Sequence, residues 1–214
     1  MRYLAHPSSD ANFIISRYSR TNMMNRRTML RVVAGAVPVA VLSGQSVAQP
    51  KRPPDVPYVP TTEPAVEAML KLAGVKKSDV VYDLGCGDGR IVVSAAKVYG
   101  AHGVGIDINP ERIKEARANA KKAGVENLVR FEENDLFQAN ISEATVVTLF
   151  LLSNINLKLR PKLLKDLRPG TRIVSNTFDM GDWKPEREAT VGNDDDIDSY
   201  LSHHLYFWTV PSKK

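Results

Sequence analysis

Cysteine and long apolar runs are both scarce in this sequence. Cys86 is the single cysteine among 214 residues, so no internal disulfide stabilises the fold. No uninterrupted apolar run reaches the roughly 18 residues that a membrane-spanning helix requires, which excludes a polytopic membrane protein. The rest of the composition, with 25% charged and 43% hydrophobic residues, is that of a globular protein and excludes wholesale disorder.

Acidic residues are rare only at the start of the chain. Residues 1–48 contain six of the 29 basic residues and one of the 24 acidic residues, which leaves 23 of each sign in residues 49–214. The formal net charge of +5 therefore comes from the first segment. Because a nucleic-acid-binding domain carries its positive patch on the folded part, this distribution predicts that nucleic acid is not the partner.

Residues 1–48 have the pattern of a twin-arginine export signal. Arg26 and Arg27 precede an apolar stretch at 32–44, and small residues follow at 46–48, where a signal peptidase requires them. The apolar stretch is too short to be a comfortable membrane span. We expect export to the periplasm or cell envelope, with an amphipathic or disordered tail as the alternative interpretation.

The boundaries of the remaining segments follow from composition. Residues 1–22 have no signal character, so an internal start at Met23 or Met24 is an alternative, and a misassigned start would leave the protein cytoplasmic. Five prolines within 49–60 predict an extended linker. Residues 61–214 have the length of one domain, without room for a separate substrate domain.

Strand-like and helix-like patterns alternate along residues 61–214. The predicted strands cover residues 80–84, 103–108, 129–132, 145–151 and 172–176, followed by a weak strand at 188–191 and a longer one within 200–210. The first predicted helix runs from Thr61 or Thr62 to Leu72, with Thr61 able to cap it; further helices are predicted at 91–99 and 110–124, and residues 161–167 belong to another. This order predicts an α/β fold: a Rossmann-like, mostly parallel seven-stranded sheet with helices on both faces and a C-terminal antiparallel hairpin.

The residues from Asp83 to Arg90, DLGCGDGR, join the first strand to a helix and predict a ligand site. Glycines allow a tight turn and let a ligand approach the backbone at the carboxyl end of the strand. A dinucleotide fingerprint requires glycine or alanine at the sixth position counted from Gly85, where this chain has Arg90. The carboxylates of Asp83 and Asp88 would repel a pyrophosphate, whereas they suit a ligand with a cationic end.

Each of the first three strands ends at an acid, namely Asp83, Asp107 and Asp135. Asp107 lies 22 residues after Gly85, the separation at which Rossmann units place a carboxylate on the ribose hydroxyls. Asp135 can accept a hydrogen bond from an adenine amine while Leu136 or Phe137 packs against the ring. One such acid alone is more often a helix cap or a surface residue. Together the three predict a pocket for an amino acid, a ribose and an adenine.

These motifs resemble those of the class I S-adenosylmethionine-dependent methyltransferases over about residues 57–210. DLGCGDGR is similar to the glycine-rich first motif of that class, GIDINP to its ribose-binding second motif, and END to its adenine-side motif. The resemblance implies an enzyme with S-adenosyl-L-methionine as its cofactor. The residues that it assigns to the cofactor are Asp83, Gly85, Gly87, Asp88, Gly89, Asp107, Ile108, Asp135 and Leu136.

Two further segments resemble a group of small bacterial and mitochondrial protein-lysine methyltransferases. They are PYVPT at 57–61 and RIVSNTFDMGDW at 172–183. In that group the segment before the first motif closes over the cofactor, which implies that Tyr58 and Thr61 lie near it. The resemblance implies N-methylation of a lysine in a protein substrate.

The pattern identifies no catalytic residue. In such a pocket the group that accepts the methyl is expected to bind after the fourth strand, near residues 151–156. Methyltransferases of exocyclic base amines often carry an Asn/Asp-Pro-Pro-aromatic motif there, and its absence disfavours DNA and RNA bases. Asn154 and Tyr58 are candidates to orient an amine, although a plain loop contact is the commoner role of such residues.

No metal site is predicted. His203 and His204 are adjacent in a strand and point to opposite faces, so they do not share one ion easily. The acidic run Asp194–Asp196 predicts a hairpin turn rather than a calcium loop.

Two other functions remain open at this point. A nicotinamide-dependent Rossmann oxidoreductase is disfavoured by Arg90 and by the two acids in the loop. A non-catalytic S-adenosylmethionine-binding exported domain is favoured by the export signal alone. An exported methyltransferase also needs a cofactor made in the cytosol, so the domain either travels with its ligand bound, stays anchored by its signal, or starts at another methionine.

Overall fold

A computed structural model describes residues 53, 58–192 and 202–212. The predicted export signal at 1–48, most of the linker at 49–60 and the predicted turn at Asp194–Asp196 lie outside the described residues. No helix among the described residues is both long and apolar enough to cross a membrane.

Four helices and seven strands alternate in the described part of the chain. The helices are α1 (Glu63–Ala73), α2 (Arg90–Tyr99), α3 (Pro110–Ala123) and α4 (Ser153–Asp166). The strands are β1 (Val80–Leu84), β2 (His102–Asp107), β3 (Val129–Glu133), β4 (Val146–Leu149), β5 (Arg172–Asn176), β6 (Arg187–Val191) and β7 (His203–Thr209).

All seven strands form one sheet in the order β3-β2-β1-β4-β5-β7-β6. Neighbouring strands from β3 to β5 are parallel, whereas β7 runs antiparallel to both β5 and β6. The sequence prediction of a mostly parallel sheet with a C-terminal antiparallel hairpin is confirmed. The strand order reverses between β1 and β4, which is where ligands bind in open α/β sheets.

The hydrophobic core consists of two layers, one on each face of the sheet. Val81 of β1 packs in the layer that contains the apolar faces of α1, α2 and α3. Its neighbours Tyr82 and Leu84 pack on the other face, with residues of α4. This division follows from the period of two in a strand, which sends successive side chains to opposite faces. Helices on both faces are thus confirmed.

The first helix begins differently from the prediction. Its N-cap is Thr62 rather than Thr61, and the Thr62 side chain makes no capping hydrogen bond. The Thr62 hydroxyl lies 3.0 Å from Nε2 of His203 in β7 instead. A tertiary contact has therefore replaced the local cap that propensity favours.

Residues 161–167 were predicted to belong to a helix, and that helix, α4, begins further upstream, at Ser153, so that Pro161 lies in its interior. A proline inside a helix removes one backbone hydrogen bond. Here Ile155, Leu159 and Leu163, four residues apart, are all buried on the core side of the helix. Burial of this apolar stripe outweighs the local penalty.

Candidate active site

A cavity of about 480 Å³ lies at the carboxyl ends of β1, β2 and β4, beside the point where the strand order reverses. Its size is in the range of small-molecule sites. The predicted residues that line it are Tyr58, Thr61, Asp83, Gly85, Gly87, Asp88, Asp107, Ile108 and Leu136. The structure therefore brings most of the predicted cofactor residues into one cavity.

The glycine loop after β1 is held by β2. The amides of Gly85 and Cys86 both donate to the carbonyl oxygen of Ile106, over 2.8 and 3.0 Å. Gly87 has a φ of +51°, which is left-handed backbone, and a Cβ there would lie 2.4 Å from Cε2 of Tyr58. Only glycine permits this contact between the loop and the Tyr58 ring.

Asp83 is buried at the base of the cavity. Its carboxylate accepts a hydrogen bond from the Thr148 hydroxyl over 2.8 Å. Burial raises the pKa of Asp83 to about 7, and the charges of Asp107 and Asp88 add to that rise, while the Thr148 bond opposes it. A cationic group in the cavity would stabilise the charged form of Asp83.

Asp88 is paired with Arg90, two residues further along. The Arg90 Nη2 lies 2.6 Å from Asp88 Oδ2, and Nε donates to Oδ1 over 2.9 Å. Burial by itself would raise the pKa of Asp88, but the hydrogen bonds and charge of Arg90 together lower it. Asp88 is therefore an anion whose charge Arg90 largely compensates.

Asp107 is the last residue of β2, and each of its carboxylate oxygens accepts a hydrogen bond from a backbone amide. Oδ2 accepts from the Gly87 amide over 2.9 Å, and Oδ1 accepts from the Asn109 amide over 2.9 Å. An ionised carboxylate has about four acceptor positions, so each oxygen retains capacity for a ligand hydroxyl.

Two predicted cofactor residues, Asp135 and Gly89, are not among the residues that line the cavity. Asp135 Oδ1 accepts from the Phe137 amide over 2.9 Å, and so stabilises the turn after β3. Gly89 is the N-cap of α2, and a Cβ there would lie 2.6 Å from the Phe131 ring. Leu136, the next residue along the chain, does line the cavity.

The segment before α1 forms part of the wall. Tyr58 is 45% exposed, and the Arg112 guanidinium stacks over its ring at 4.6 Å. Thr61 is buried, and its carbonyl oxygen accepts from Arg90 Nη1 over 2.7 Å. Tyr58 and Thr61 thus line the cavity that also contains the glycine loop.

The end of the cavity at which the methyl-accepting group is expected differs in part from the sequence prediction. Asn154 is exposed in the first turn of α4 and is not one of the lining residues. Phe150, Leu151 and Ile155 line the cavity at the end of β4 and the start of α4. Leu151 and Ile155 fall within the expected range at 151–156 but were not candidates for a role there. Phe150 was missed altogether, although its place at the end of the fourth strand was the signal that could have found it.

Further lining residues were also not predicted as cofactor residues. They are Val59, Pro60, Cys86, Arg90, Ile91, Ile106, Asn109, Arg112 and Asn134. The two histidines point to opposite faces as expected: His203 is buried against Thr62 and Asn176, and His204 pairs with Glu188 at the surface. Among the described residues, no group of three or more His, Cys, Asp or Glu side chains is placed to hold a metal ion.

The lining suits a ligand that is cationic at one end and carries hydroxyls and a flat apolar ring. Buried Asp83, which a cationic ligand would hold in its charged form, provides a negative charge at the glycine loop, while the charge of Asp88 there is paired with Arg90. Asp107 offers acceptors for hydroxyls, and Ile108 with Leu136 offers apolar surface for a ring. S-adenosylmethionine has these three parts, so the residues present fit it.

Comparison with known proteins agrees with this geometry. Residues 83–187 match the family model of the ANTKMT methyltransferase domain. The chain is 47% identical to a protein-lysine N-methyltransferase of Saccharolobus islandicus (strain REY15A) over 162 residues, which cover 75% of this chain and 98% of the relative. It is 34% identical to the adenine nucleotide translocase lysine N-methyltransferase of Mus musculus over 139 residues, which cover 65% of this chain and 60% of the relative.

A solved structure is similar as well. It is described as an RNA methyltransferase from Salinibacter ruber in complex with S-adenosyl-L-homocysteine. The TM-score is 0.67 at 54% identity, and the match covers 73% of this chain and 96% of that chain.

The fold and the site together define a class I S-adenosylmethionine-dependent methyltransferase, with S-adenosyl-L-methionine as its cofactor. The nicotinamide alternative is therefore wrong. Within that class, the chain belongs to the protein-lysine methyltransferase family.

Proposed function

We propose that this enzyme N-methylates lysine side chains of protein substrates. The observation that carries the proposal is the 47% identity to a protein-lysine N-methyltransferase over 98% of that relative's length. The apolar end of the cavity, formed by Phe150, Leu151 and Ile155, supports it. A lysine must be neutral to act as a nucleophile, and apolar surroundings favour the neutral amine by lowering its pKa.

In this proposal the chain binds its cofactor through the acids and glycines of the cavity. Asp83, Asp88 and the loop at Gly85 and Gly87 hold the methionine moiety, and Asp107 accepts from the ribose hydroxyls. Ile108 and Leu136 pack against the adenine beside Asp135. S-adenosylmethionine, when bound, supplies an electrophilic methyl group on a sulfonium.

The protein contributes alignment and exclusion of water rather than a strong acid or base. Positioning of two reactants can lower a barrier by roughly 7–11 kcal/mol in favourable cases. Tyr58 lies at the exposed side of the cavity, where its hydroxyl can orient an incoming amine. Asn154 is exposed on the first turn of α4 and does not line the cavity, which disfavours it as the residue that orients the amine.

RNA is the second candidate substrate, because the similar solved structure is described as an RNA methyltransferase. Two observations favour protein over RNA. Residues 49–214 carry equal numbers of basic and acidic residues, whereas an RNA-binding domain needs a positive patch for the phosphate backbone. The Asn/Asp-Pro-Pro-aromatic motif typical of enzymes that methylate base amines is absent after β4.

Transfer of a radiolabelled methyl group to a cell extract tests the proposal. The purified full chain is incubated with labelled S-adenosylmethionine and extract, and the products are treated separately with protease and with ribonuclease. We expect protease-sensitive label that acid hydrolysis releases as methylated lysine, and markedly less of it from the Asp107→Ala variant at a limiting cofactor concentration. Ribonuclease-sensitive label would replace lysine by RNA as the substrate.

We also propose that residues 1–48 direct export by the twin-arginine route. Paired Arg26 and Arg27, the apolar stretch at 32–44 and the small residues at 46–48 support it. The test is cell fractionation of the full chain and of the Arg26→Lys/Arg27→Lys variant. Export of the parent and retention of the variant in the cytoplasm is the expected result, and equal distribution of the two would refute the proposal.

A further inference from the structure

The segment at 58–62 is attached to the domain from two sides just before α1. On one side, the Thr61 carbonyl accepts from Arg90 Nη1 over 2.7 Å. On the other, the Thr62 hydroxyl lies 3.0 Å from His203 Nε2 in β7. Four residues of this segment line the cavity, so its position decides the shape of that wall.

Arg90 is the side chain that joins this segment to the glycine loop. Its Nε and Nη2 donate to the two oxygens of Asp88, while Nη1 donates to the Thr61 carbonyl. The guanidinium is planar, so donors that face different directions are fixed relative to one another. The Asp88–Arg90 ion pair is mostly buried, with 12% and 27% of the side-chain surfaces exposed.

Tyr58 also contacts the glycine loop from the segment at 58–62. Its ring lies against Gly87, where a Cβ would come within 2.4 Å of Cε2. Asp88, the carboxylate that Arg90 holds, faces this tyrosine, and Tyr58 contributes after Arg90 to lowering the pKa of Asp88. The Arg112 guanidinium lies over the same ring, 4.6 Å from its centroid. Asp88 is therefore shared between the cofactor loop and the segment.

We propose that Arg90 is a positioning residue that couples the segment at 58–62 to the cofactor loop, so that cofactor binding orders the segment and the ordered segment strengthens cofactor binding. The coupling is reciprocal by thermodynamic linkage. Lysine at this position provides a single ammonium group, which can pair with Asp88 but lacks the fork that reaches the Thr61 carbonyl at the same time. The proposal concerns cofactor binding only and does not depend on which substrate is methylated.

Hydrogen exchange and calorimetry on the purified full chain test this coupling. The variants are Arg90→Lys, Arg90→Met and Asp88→Asn/Arg90→Met, the last of which removes the carboxylate charge that Arg90→Met would leave unpaired. S-adenosylhomocysteine is the probe. The amides at 58–62 report on the segment, and those at 157–166 of α4, beyond the turn that lines the cavity, report on the fold.

In the parent we expect S-adenosylhomocysteine to slow exchange at 58–62 by at least about tenfold. In Arg90→Lys that protection is lost and the Kd rises by about tenfold, while exchange in α4 is unchanged. If Arg90→Met fails to fold, the double variant gives the exchange reading at 58–62 with no unpaired buried charge, and the Kd is taken from Arg90→Lys because Asp88 itself lines the cofactor cavity.

Two results would overturn the proposal. One is full ligand-induced protection of the segment, with an unchanged Kd, in Arg90→Lys and in the double variant. The other is faster exchange in α4 and in the segment alike, because that would show that Arg90 only stabilises the fold. Loss of methyl transfer with normal S-adenosylhomocysteine binding would count against the proposed lysine substrate and leave this inference intact.

Discussion

The backbone amide of Gly87 donates to a carboxylate oxygen of Asp107 over 2.9 Å, and this bond joins the loop after β1 to the end of β2. The other oxygen of Asp107 accepts from the Asn109 amide, next to the start of α3. One carboxylate therefore fixes the shape of the glycine loop and also presents acceptors to the cavity. Changes at Asp107 should affect cofactor binding in both ways.

Replacement of Asp107 by alanine is expected to weaken S-adenosylhomocysteine binding by at least about tenfold. The change removes up to two charge-assisted hydrogen bonds to ligand hydroxyls, each worth roughly 1.5–3 kcal/mol. Calorimetric titration of the purified chain measures the effect. Glu133→Ala is the matched control, because Glu133 pairs with Asp107 in the β2–β3 register yet is exposed and outside the cavity lining. Equal affinities for parent and Asp107→Ala would refute the ribose assignment.

A side chain at position 87 should displace the wall of the cavity. In Gly87→Ala the new Cβ would meet the Tyr58 ring at 2.4 Å, so the ring must move. We expect weaker S-adenosylhomocysteine binding, measured by calorimetry. Gly74→Ala is the control for backbone strain, since Gly74 has a φ of +60° and no atom lies within 4 Å of the place that its Cβ would take. Comparable losses of affinity in both variants would contradict the specific role of the Tyr58 contact.

Burial of Asp83 predicts a pH-dependent stability. Its pKa is about 7 in the folded chain, against an ordinary 3.8. Between those values the folded state binds more protons, so the contribution of Asp83 to stability falls as the pH rises from about 4 to 7. Asp83→Asn keeps an acceptor for Thr148 but does not titrate. Urea unfolding without ligand should therefore show Asp83→Asn as more stable than the parent at pH 8, by up to about 4 kcal/mol.

The pH dependence of that difference separates this explanation from others. The advantage of Asp83→Asn should shrink steadily as the pH is lowered towards 4, because the parent carboxyl then becomes neutral. A difference of constant size across this range would mean that Asp83 does not titrate as described. Binding of cationic S-adenosylmethionine should release protons near pH 7 in the parent and not in the variant.

Asn156 is expected to contribute to stability through the loop after β5. It is fully buried in α4, and its Nδ2 donates to the Ser175 hydroxyl and to the carbonyl oxygens of Phe178 and Asp179. Asn156→Ala should lower the free energy of unfolding by roughly 2–4 kcal/mol in urea denaturation. Asn154→Ala makes the same change at an exposed position of the same helix and should stay within about 0.5 kcal/mol. Equal effects at the two positions would show that helix propensity alone is being measured.

The sequence predicted the strands and helices well where local signals are strong. Asn109 and Pro110 start α3 as expected, with the Asn109 side chain accepting from the Glu111 amide, and Gly124 ends it in the left-handed region. The start of α4 was missed because Pro161 is a local helix breaker, and only burial of the surrounding leucines overrides it. Likewise, the Thr62 hydroxyl contacts His203, 141 residues away, which no local rule could indicate.

By itself the sequence determined the order of the elements, the glycine turn and the acids at the strand ends, because strand periodicity, caps and turns depend on neighbouring residues. The tertiary structure alone decided which of those groups share a cavity. In the folded chain Asp83 is buried and accepts a hydrogen bond from Thr148, and the Asp135 carboxylate accepts from the Phe137 amide. Arg90 donates to the carbonyl oxygen of Thr61, 29 residues earlier in the chain. The physical reason is that the burial of a side chain depends on packing between residues that are distant in the chain. Burial in turn decides the charge state of an acid and which groups it can contact.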